Sequence, residues 1–266
     1  MTVIQEICMG SEGQARDSGR YFSGTSGVTL PVPNKLLFPP DFRDKSRLTY
    51  YGSLFNSVEI NSSFYKLPMI STVQKWADSV PDNFQFTFKL WKEITHVKGL
   101  AFRQEDVERF IRTIDAAGEK KGCLLVQFPP SLTASYAVQL MHLLTAITEA
   151  DQLKQWKIAL EFRNKTWYTD EIFSLANDFG AAVVLQDMPA SLNNRISDDA
   201  KFVYLRFHGY EGNYKGGYDD DFLSEYASYI REWLDEGRDV YTYFNNTRGD
   251  AVHNLVTLNK YLVTSD

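Results

Sequence analysis

Cysteine is nearly absent: Cys8 and Cys123 are the only two in 266 residues. A disulfide framework and a four-thiolate zinc site are both excluded, and a reducing compartment is expected. No apolar run approaches the roughly 18 residues that a membrane-spanning helix needs. The first ten residues hold no Lys or Arg and do not read as a secretory signal, so a cytoplasmic location is expected. Positive charge is also short. Lys and Arg number 28 against 34 Asp and Glu, a net charge of −6, with pI ≈ 5.3. A globally basic nucleic-acid binder is disfavoured, since only Lys120 and Lys121 stand side by side. Histidine occurs four times, and no Ser or Cys stands in a recognisable nucleophile motif. No repeat, low-complexity stretch or linker divides the chain. Hydrophobic residues make up 44% and charged residues 23%, which is ordinary for a folded protein with a sizeable core. Aromatics are plentiful at 14%.

Residues 1–19 are weakly patterned and read as a tail or edge segment; 20–266 read as one domain. Short apolar runs at 20–25, 56–61, 84–89, 122–128, 157–163, 181–187, 201–208 and 239–245 predict eight strands. Most intervals between them carry helical spacing, as in Val73, Trp76, Ala77 and Val80, in Val107, Phe110, Ile111 and Ile114, and in Ile172, Leu175, Ala176 and Phe179. Ser71 with Gln74 resembles a capping box, Gly118, Gly180 and Gly237 stand where left-handed C-caps belong, and Asp250 opens the last helix. Eight strand–helix units in this length predict an α/β protein, a single (β/α)8 TIM-type barrel. A doubly wound sheet is the rival, but GTSG (24–27) after the first strand is not GxGxxG. The interval 188–200 shows no helix, so the helix after strand 6 is expected to be missing or replaced by a loop.

Within the strands a period of two separates an apolar face from a mixed one. Ile158, Leu160 and Phe162 alternate with Ala159, Glu161 and Arg163; Val203, Leu205 and Phe207 alternate with Tyr204, Arg206 and His208. In a barrel the apolar face meets the helices and the other points inward. Glu59, Asn61, Lys89, Gln127, Glu161, Arg163, Asp187, Arg206, His208 and Asn245 then gather at the C-terminal strand ends, where barrel enzymes place their active sites. Burying charge costs several kcal/mol unless it is paired, so a fold that needed only stability has little use for this cluster.

The motifs VEINSSFYKLP (58–68), FTFKLWKEITH (86–96), LVQFPPSL (125–132), LEFRNKTW (160–167), LQDMP (185–189), FVYLRFHG (202–209) and VYTYFNN (240–246), together with GTSG, resemble the YecE-like family known as domain of unknown function 72. The resemblance covers about 20–262 and implies a TIM-type barrel, without supplying a reaction. The family commonly carries Trp where this chain has Val28, and His where it has Asn164.

Three carboxylates (Glu59, Glu161, Asp187) face three cations (Lys89, Arg163, Arg206). Glu59, Glu161, Asp187, His208 and the loop residue His96 are the candidate metal ligands, but the neighbouring cations weaken such a site; no metal and no cofactor is expected. His142 and His253 fall on predicted helices. Acid–base work fits better. Glu59 and Glu161 approach across the barrel as a two-carboxylate pair, Arg163 keeping Glu161 ionised for a role as base or nucleophile. The plainer alternative for Glu59 is a salt bridge to Lys89. Lys89 as a Schiff-base nucleophile needs a depressed pKa, and a neighbouring carboxylate pushes the other way. Arg206 suits an anion clamp and His208 a proton exchanger, with Asp187 completing the catalytic set. In the loop 208–221, Tyr210, Tyr214 and Tyr218 suit stacking on a sugar or base. Asn245 and Asn246 lead to a helix N-terminus suited to an anion. Tyr65, Trp91 and Trp167, with Phe64, ring the same mouth, and Gln127, Asn61 and His96 complete the binding set. Cys123 reads as core.

These features predict a hydrolase, lyase or isomerase acting on an anionic or sugar-like small molecule, with no membrane partner. The alternative is a nucleic-acid-binding barrel or a phosphodiesterase of the endonuclease IV type, which the acidic charge balance disfavours.

Overall fold

The computed structural model describes residues 18–263; nearly all of the expected N-terminal tail lies outside this range. In chain order the elements are β1 (Tyr21–Thr25), α1 (Arg47–Gly52), β2 (Ser57–Ile60), α2 (Ser62–Tyr65), α3 (Ile70–Asp78), β3 (Gln85–Lys89), α4 (Lys92–Thr95), α5 (Gln104–Ile114), β4 (Lys121–Phe128), α6 (Ala137–Ala150), β5 (Lys157–Phe162), α7 (Asp170–Asp178), β6 (Ala182–Val183), β7 (Leu185–Gln186), β8 (Phe202–Phe207), α8 (Asp220–Asp235), β9 (Asp239–Phe244) and α9 (Ala251–Val263). Helix α5 buries its whole stripe, Val107, Phe110, Ile111 and Ile114, whereas Trp76 and Ala77 of α3 and Leu175 of α7 are only partly buried. The capping box does not form. Helix α3 starts one residue before Ser71, with Met69 as N-cap and no side-chain cap bond.

The strands pair in parallel as two sheets, β2-β3-β4-β5-β6 and β1-β9-β8-β7. Consecutive parallel strands with helices between them make this an α/β fold. One seam between the sheets lies between β1 and β2. There Ser26 bridges Glu59, Gly27 N–H donates to the Glu59 carbonyl (2.8 Å), and Asn56 accepts from Ser23 N–H through Oδ1 and donates to the Tyr21 carbonyl through Nδ2 (2.8 Å each). Only glycine fits this approach: a Cβ on Gly24 would stand 2.0 Å from the Ser57 carbonyl oxygen.

The other seam is the sixth predicted strand, which is not continuous. It breaks at Val184 into β6, paired with β5, and β7, paired with β8. The reason is in the following loop. Residue 193 folds back as an antiparallel bridge to Gln186, and Asn193 Nδ2 donates to the Val184 carbonyl (2.9 Å). A single 3-10 turn, Pro189–Ser191, stands where other units have a helix.

Two apolar clusters follow from the alternation. The larger lies between strands and helices and includes Phe86, Phe88, Leu124, Val126, Phe128, Leu160, Phe162 and Phe207. The smaller is formed by the opposite strand faces: Phe22, Cys123, Leu125, Ala159, Ala182, Val184, Phe202, Tyr204, Tyr241 and Tyr243. It brings residues of both sheets together as a plug. Tyr243 OH links its upper edge to Ser57 Oγ (2.6 Å) and Thr87 Oγ1 (2.8 Å). Beyond it along the strands stand the charged residues.

Candidate functional site

Arg206 joins the two sheets. Its Nε and Nη2 donate to both oxygens of Glu59 on β2 (2.7–3.2 Å), and its Nη1 donates to Glu161 Oε2 on β5 (2.8 Å). Glu59 also accepts from Ser26 Oγ and Tyr204 OH, each at 2.6 Å. Arg163 Nη2 closes on Glu161 Oε1 at 2.7 Å. Both carboxylates are fully buried. Burial alone would raise their pKa values; the Arg206 charge and its hydrogen bonds, with Ser26 and Tyr204, hold Glu59 below the ordinary range. Arg163, Arg206 and His208 hold Glu161 well below it. Burial opposes the charge on Arg206, but its two carboxylates raise its pKa further. A bidentate guanidinium between two carboxylates is the geometry in which a buried charge is tolerated.

His208 is held from both sides. Asp187 Oδ1 accepts from its backbone N–H (2.7 Å) and faces Nδ1 (3.1 Å), while Arg163 Nη2 (3.0 Å) and Arg206 Nη1 (3.2 Å) face Nε2. Nε2 also lies 3.3 Å from Glu161 Oε1, so the ring stands between two carboxylates, Asp187 at Nδ1 and Glu161 at Nε2. Asp187 is fixed in turn by Tyr218 OH, which donates to Oδ2.

Lys89 is different. The alternative salt bridge to Glu59 does not form, because the Glu59 carboxylate is taken by Arg206. Among the described residues no hydrogen bond or ion pair engages Lys89 Nζ, which rests 4.4 Å from the centre of the Phe64 ring. Burial, then the Arg206 charge, lower its pKa to about 8 against the opposing pull of Glu161 and Glu59. The cation–π contact returns only about 0.5–1 kcal/mol and does not reverse this. The neighbouring carboxylates do push the other way, as expected, but burial and the Arg206 charge outweigh them. His96 packs edge-on to Phe64 (4.9 Å between ring centres). Partial burial and the Lys89 and Lys92 charges lower its pKa to about 4, so its ring is uncharged at neutral pH.

Two buried polar atoms of the strand-end residues have no partner among the described residues, and Glu161 Oε1 has ion pairs but no hydrogen bond. Arg163, with a side chain 9% exposed, has a buried Nη1 that bonds to nothing among the described residues. Asn61 Oδ1 is in the same condition, one residue past the Ile60–Phe88 register pair and so level with Lys89. Gln127, in register with Glu161, turns Nε2 to the Phe128 carbonyl (2.8 Å). Asn245 ends β9, its N–H bound to the Phe207 carbonyl (2.7 Å).

The aromatic wall is smaller than the sequence suggests. Trp167 is fully buried on the helix side, stacked on Phe162 (4.7 Å), with Nε1 donating to the Leu132 carbonyl. It is removed from the binding set, because the Phe128–Phe162 face offers the indole an apolar seat. Tyr218 is buried against Phe222 and positions Asp187 rather than a ligand. Asn246 is fully buried, donating to the Gly216 carbonyl (2.9 Å) and Asn254 Oδ1 (3.0 Å), so it ties the 208–221 loop to α9. Tyr65 (68% exposed) and Tyr214 (37% exposed) remain open, the latter edge-on to His208. The two-carboxylate mechanism is also corrected. It needs one carboxyl kept protonated, and both are held ionised. Among the described residues no group of three or more His, Cys, Asp or Glu has metal-binding geometry; the carboxylates point at guanidinium groups.

Sequence reasoning missed Ser26 and Tyr204 as carboxylate partners. Tyr204 carried a signal: it shares a strand face with Arg206, two residues on.

UPF0759 protein YunF of Bacillus subtilis strain 168 is 25% identical over 267 residues, spanning 86% of this chain and 90% of its own. UPF0759 protein YecE of Escherichia coli K12 is 28% identical over 100 residues, 38% of this chain and 37% of its own. Among solved structures, a DUF72 family protein from Enterococcus faecalis V583 superposes with a TM-score of 0.75 at 21% identity, covering 92% of this chain and 96% of that one. One from Thermotoga maritima MSB8 gives 0.74 at 24% identity, covering 92% and 99%. These likenesses show the fold. With residues 22–266 matching the family described as Protein of unknown function DUF72, the chain belongs to the DUF72 family.

Proposed function

We propose that this protein is an acid–base enzyme for an anionic small molecule, with Lys89 as the group that exchanges the proton. The two sheets are read as halves of one (β/α)8 barrel, joined at the Ser26–Glu59 bridge and at the broken strand β6–β7, with the site at its C-terminal face. The observation that carries the reading is a lysine ammonium without an ion-pair partner, near two carboxylates that guanidinium groups already take. A ligand anion supplies it with a direct partner. Arg163 Nη1 offers a second donor to that anion. The two-carboxylate reading gives way to this one because guanidinium groups take both carboxylates, while Lys89 is left without an ion pair and with a pKa of about 8. Loss of Trp167 and Tyr218 from the mouth favours an anion over a stacked sugar ring.

An anion beside Lys89 favours its charged form, so its pKa rises from about 8 when the ligand binds. Titrating the protein with inorganic phosphate at pH 8.5, in two buffers of different ionisation enthalpy, is expected to show net proton uptake. Lys89→Met abolishes that uptake, and Arg163→Met weakens binding roughly 10- to 100-fold, the weight of a charge-assisted hydrogen bond. Binding without proton uptake, or binding indifferent to both substitutions, overturns the reading.

A further inference from the structure

We propose that Lys89 is a covalent nucleophile, forming a Schiff base with a small carbonyl compound whose carboxylate or phosphate is held by Arg163. This rests on the anion-site reading above and adds to it a bond-forming role for the same lysine.

Four observations meet here. The carboxylates that would hold an ammonium at this position are both occupied by guanidinium groups, Glu59 by Arg206 and Glu161 by Arg206 and Arg163. Lys89 Nζ therefore lies over the Phe64 face without an ion pair to break before it reacts. The Arg163 side chain is nine-tenths buried, yet its Nη1 has no partner among the described residues, so a buried cationic donor awaits an acceptor. Asn61 Oδ1, level with Lys89 on the adjoining strand, is a buried acceptor without a donor. A carbonyl compound with an anionic end satisfies all three: its anion meets Arg163, its carbonyl carbon meets Lys89, and the hydroxyl formed on addition donates to Asn61. The platform keeps its own pairs throughout: Glu59 accepts from Arg206, Ser26 and Tyr204, and Glu161 is ion-paired to Arg206 and Arg163.

The step balances without oxidant or reductant. The uncharged amine, about a tenth of the population at pH 7 for a pKa of about 8, adds its lone pair to the carbonyl carbon. One N–H proton passes to the oxygen, giving a carbinolamine. A proton from solvent then expels that hydroxyl as water and leaves a protonated imine, the electron sink that lyase and isomerase steps at the neighbouring carbon use.

Reductive trapping tests it. The protein is incubated separately with pyruvate, dihydroxyacetone phosphate and acetone, each with sodium borohydride, and adducts are located by peptide mass spectrometry. The expected result is one stable secondary amine, at Lys89, with one or both anionic carbonyls, its rate rising with pH to a plateau above about 8. Labelling by pyruvate tells a carboxylate end from the phosphate end that dihydroxyacetone phosphate reports. Lys89→Arg removes the adduct while keeping a cation in place. Arg163→Met lowers labelling by the anionic probes roughly 10- to 100-fold relative to acetone labelling of the same variant. Adducts scattered over surface lysines, or none at Lys89 with any probe, overturn the covalent role. If phosphate binding with proton uptake persists in that case, the acid–base reading stands and only the Schiff base fails; if both are lost, both fail.

Discussion

Arg206→Met is expected to destabilise the protein by about 3–5 kcal/mol at pH 7, the largest single effect at this site. The side chain itself is not the reason. Removing it leaves Glu59 fully buried with only Ser26 and Tyr204 as donors, and leaves Glu161 with Arg163 and His208. An uncompensated buried carboxylate costs more than the pair contributes. The pH dependence should invert as well. In the native protein Glu59 and Glu161 have lowered pKa values, so their contribution is present above the unfolded value near 4.3 and is lost as pH falls below it through the folded values. In Arg206→Met burial wins at Glu59, whose pKa rises above its unfolded value. The variant is then relatively more stable in acid and loses stability as pH rises through that raised value. Urea unfolding at pH 4 and pH 7 checks both signs. The triple variant Glu59→Gln, Glu161→Gln, Arg206→Met, with no charge left to desolvate at these three positions, should recover most of the loss. A native-like stability for Arg206→Met alone would mean that water, not the guanidinium, solvates these carboxylates.

Lys89→Met should do the opposite and stabilise the fold, by roughly 1–3 kcal/mol at pH 7. The ammonium is half-buried beside Arg206 with no ion partner among the described residues, and a thioether fits the same face of Phe64. The sign follows from linkage. With a folded value of about 8 and an unfolded value near 10.4, the unfolded chain holds more protons between them, so native stability rises with pH through that window. The advantage of Lys89→Met is thus full below pH 8 and fades by about pH 10.5. Buried tyrosines such as Tyr204 and Tyr243 titrate in alkali too, and comparing the two proteins at each pH cancels them. A stabilising substitution that also abolishes ligand-linked proton uptake is the signature of a group kept for chemistry. A Lys89→Met protein less stable than the native one would place Lys89 in an ordinary ion pair.

Strand alternation told correctly which side chains share a face. Glu59, Glu161, Arg206 and His208 meet because a period of two leaves no other direction once Val58, Leu160, Leu205 and Phe207 face the helices. It did not tell which of them pair. Glu59 and Lys89 lie on neighbouring strands and look like partners, yet Glu59 is opposite Thr87 and Lys89 is opposite Leu125, one pleat further along. Arg206, with a longer reach from the other sheet, takes the carboxylate. Pairing across an interior depends on height and side-chain length, and one-dimensional spacing carries neither.

Loops were less legible for a related reason. Trp167 follows the β5 motif closely enough to seem part of the mouth, but the two flat rings of Phe128 and Phe162 draw it to the opposite face. The break at Val184 also has no local signature. It is imposed by Asn193 returning from a segment whose lack of helical spacing was visible while its destination was not.

An ionic platform that leaves Lys89 without an ion pair poises it near neutral pH. Titration of Lys89 itself reads this out, by NMR of protein carrying 13C at the lysine ε-carbons, with Lys89→Arg to assign the resonance. The expected midpoint is about 8, moving upward when phosphate is added. A midpoint near 10.4, the value of a solvated lysine, and unmoved by phosphate, would contradict it.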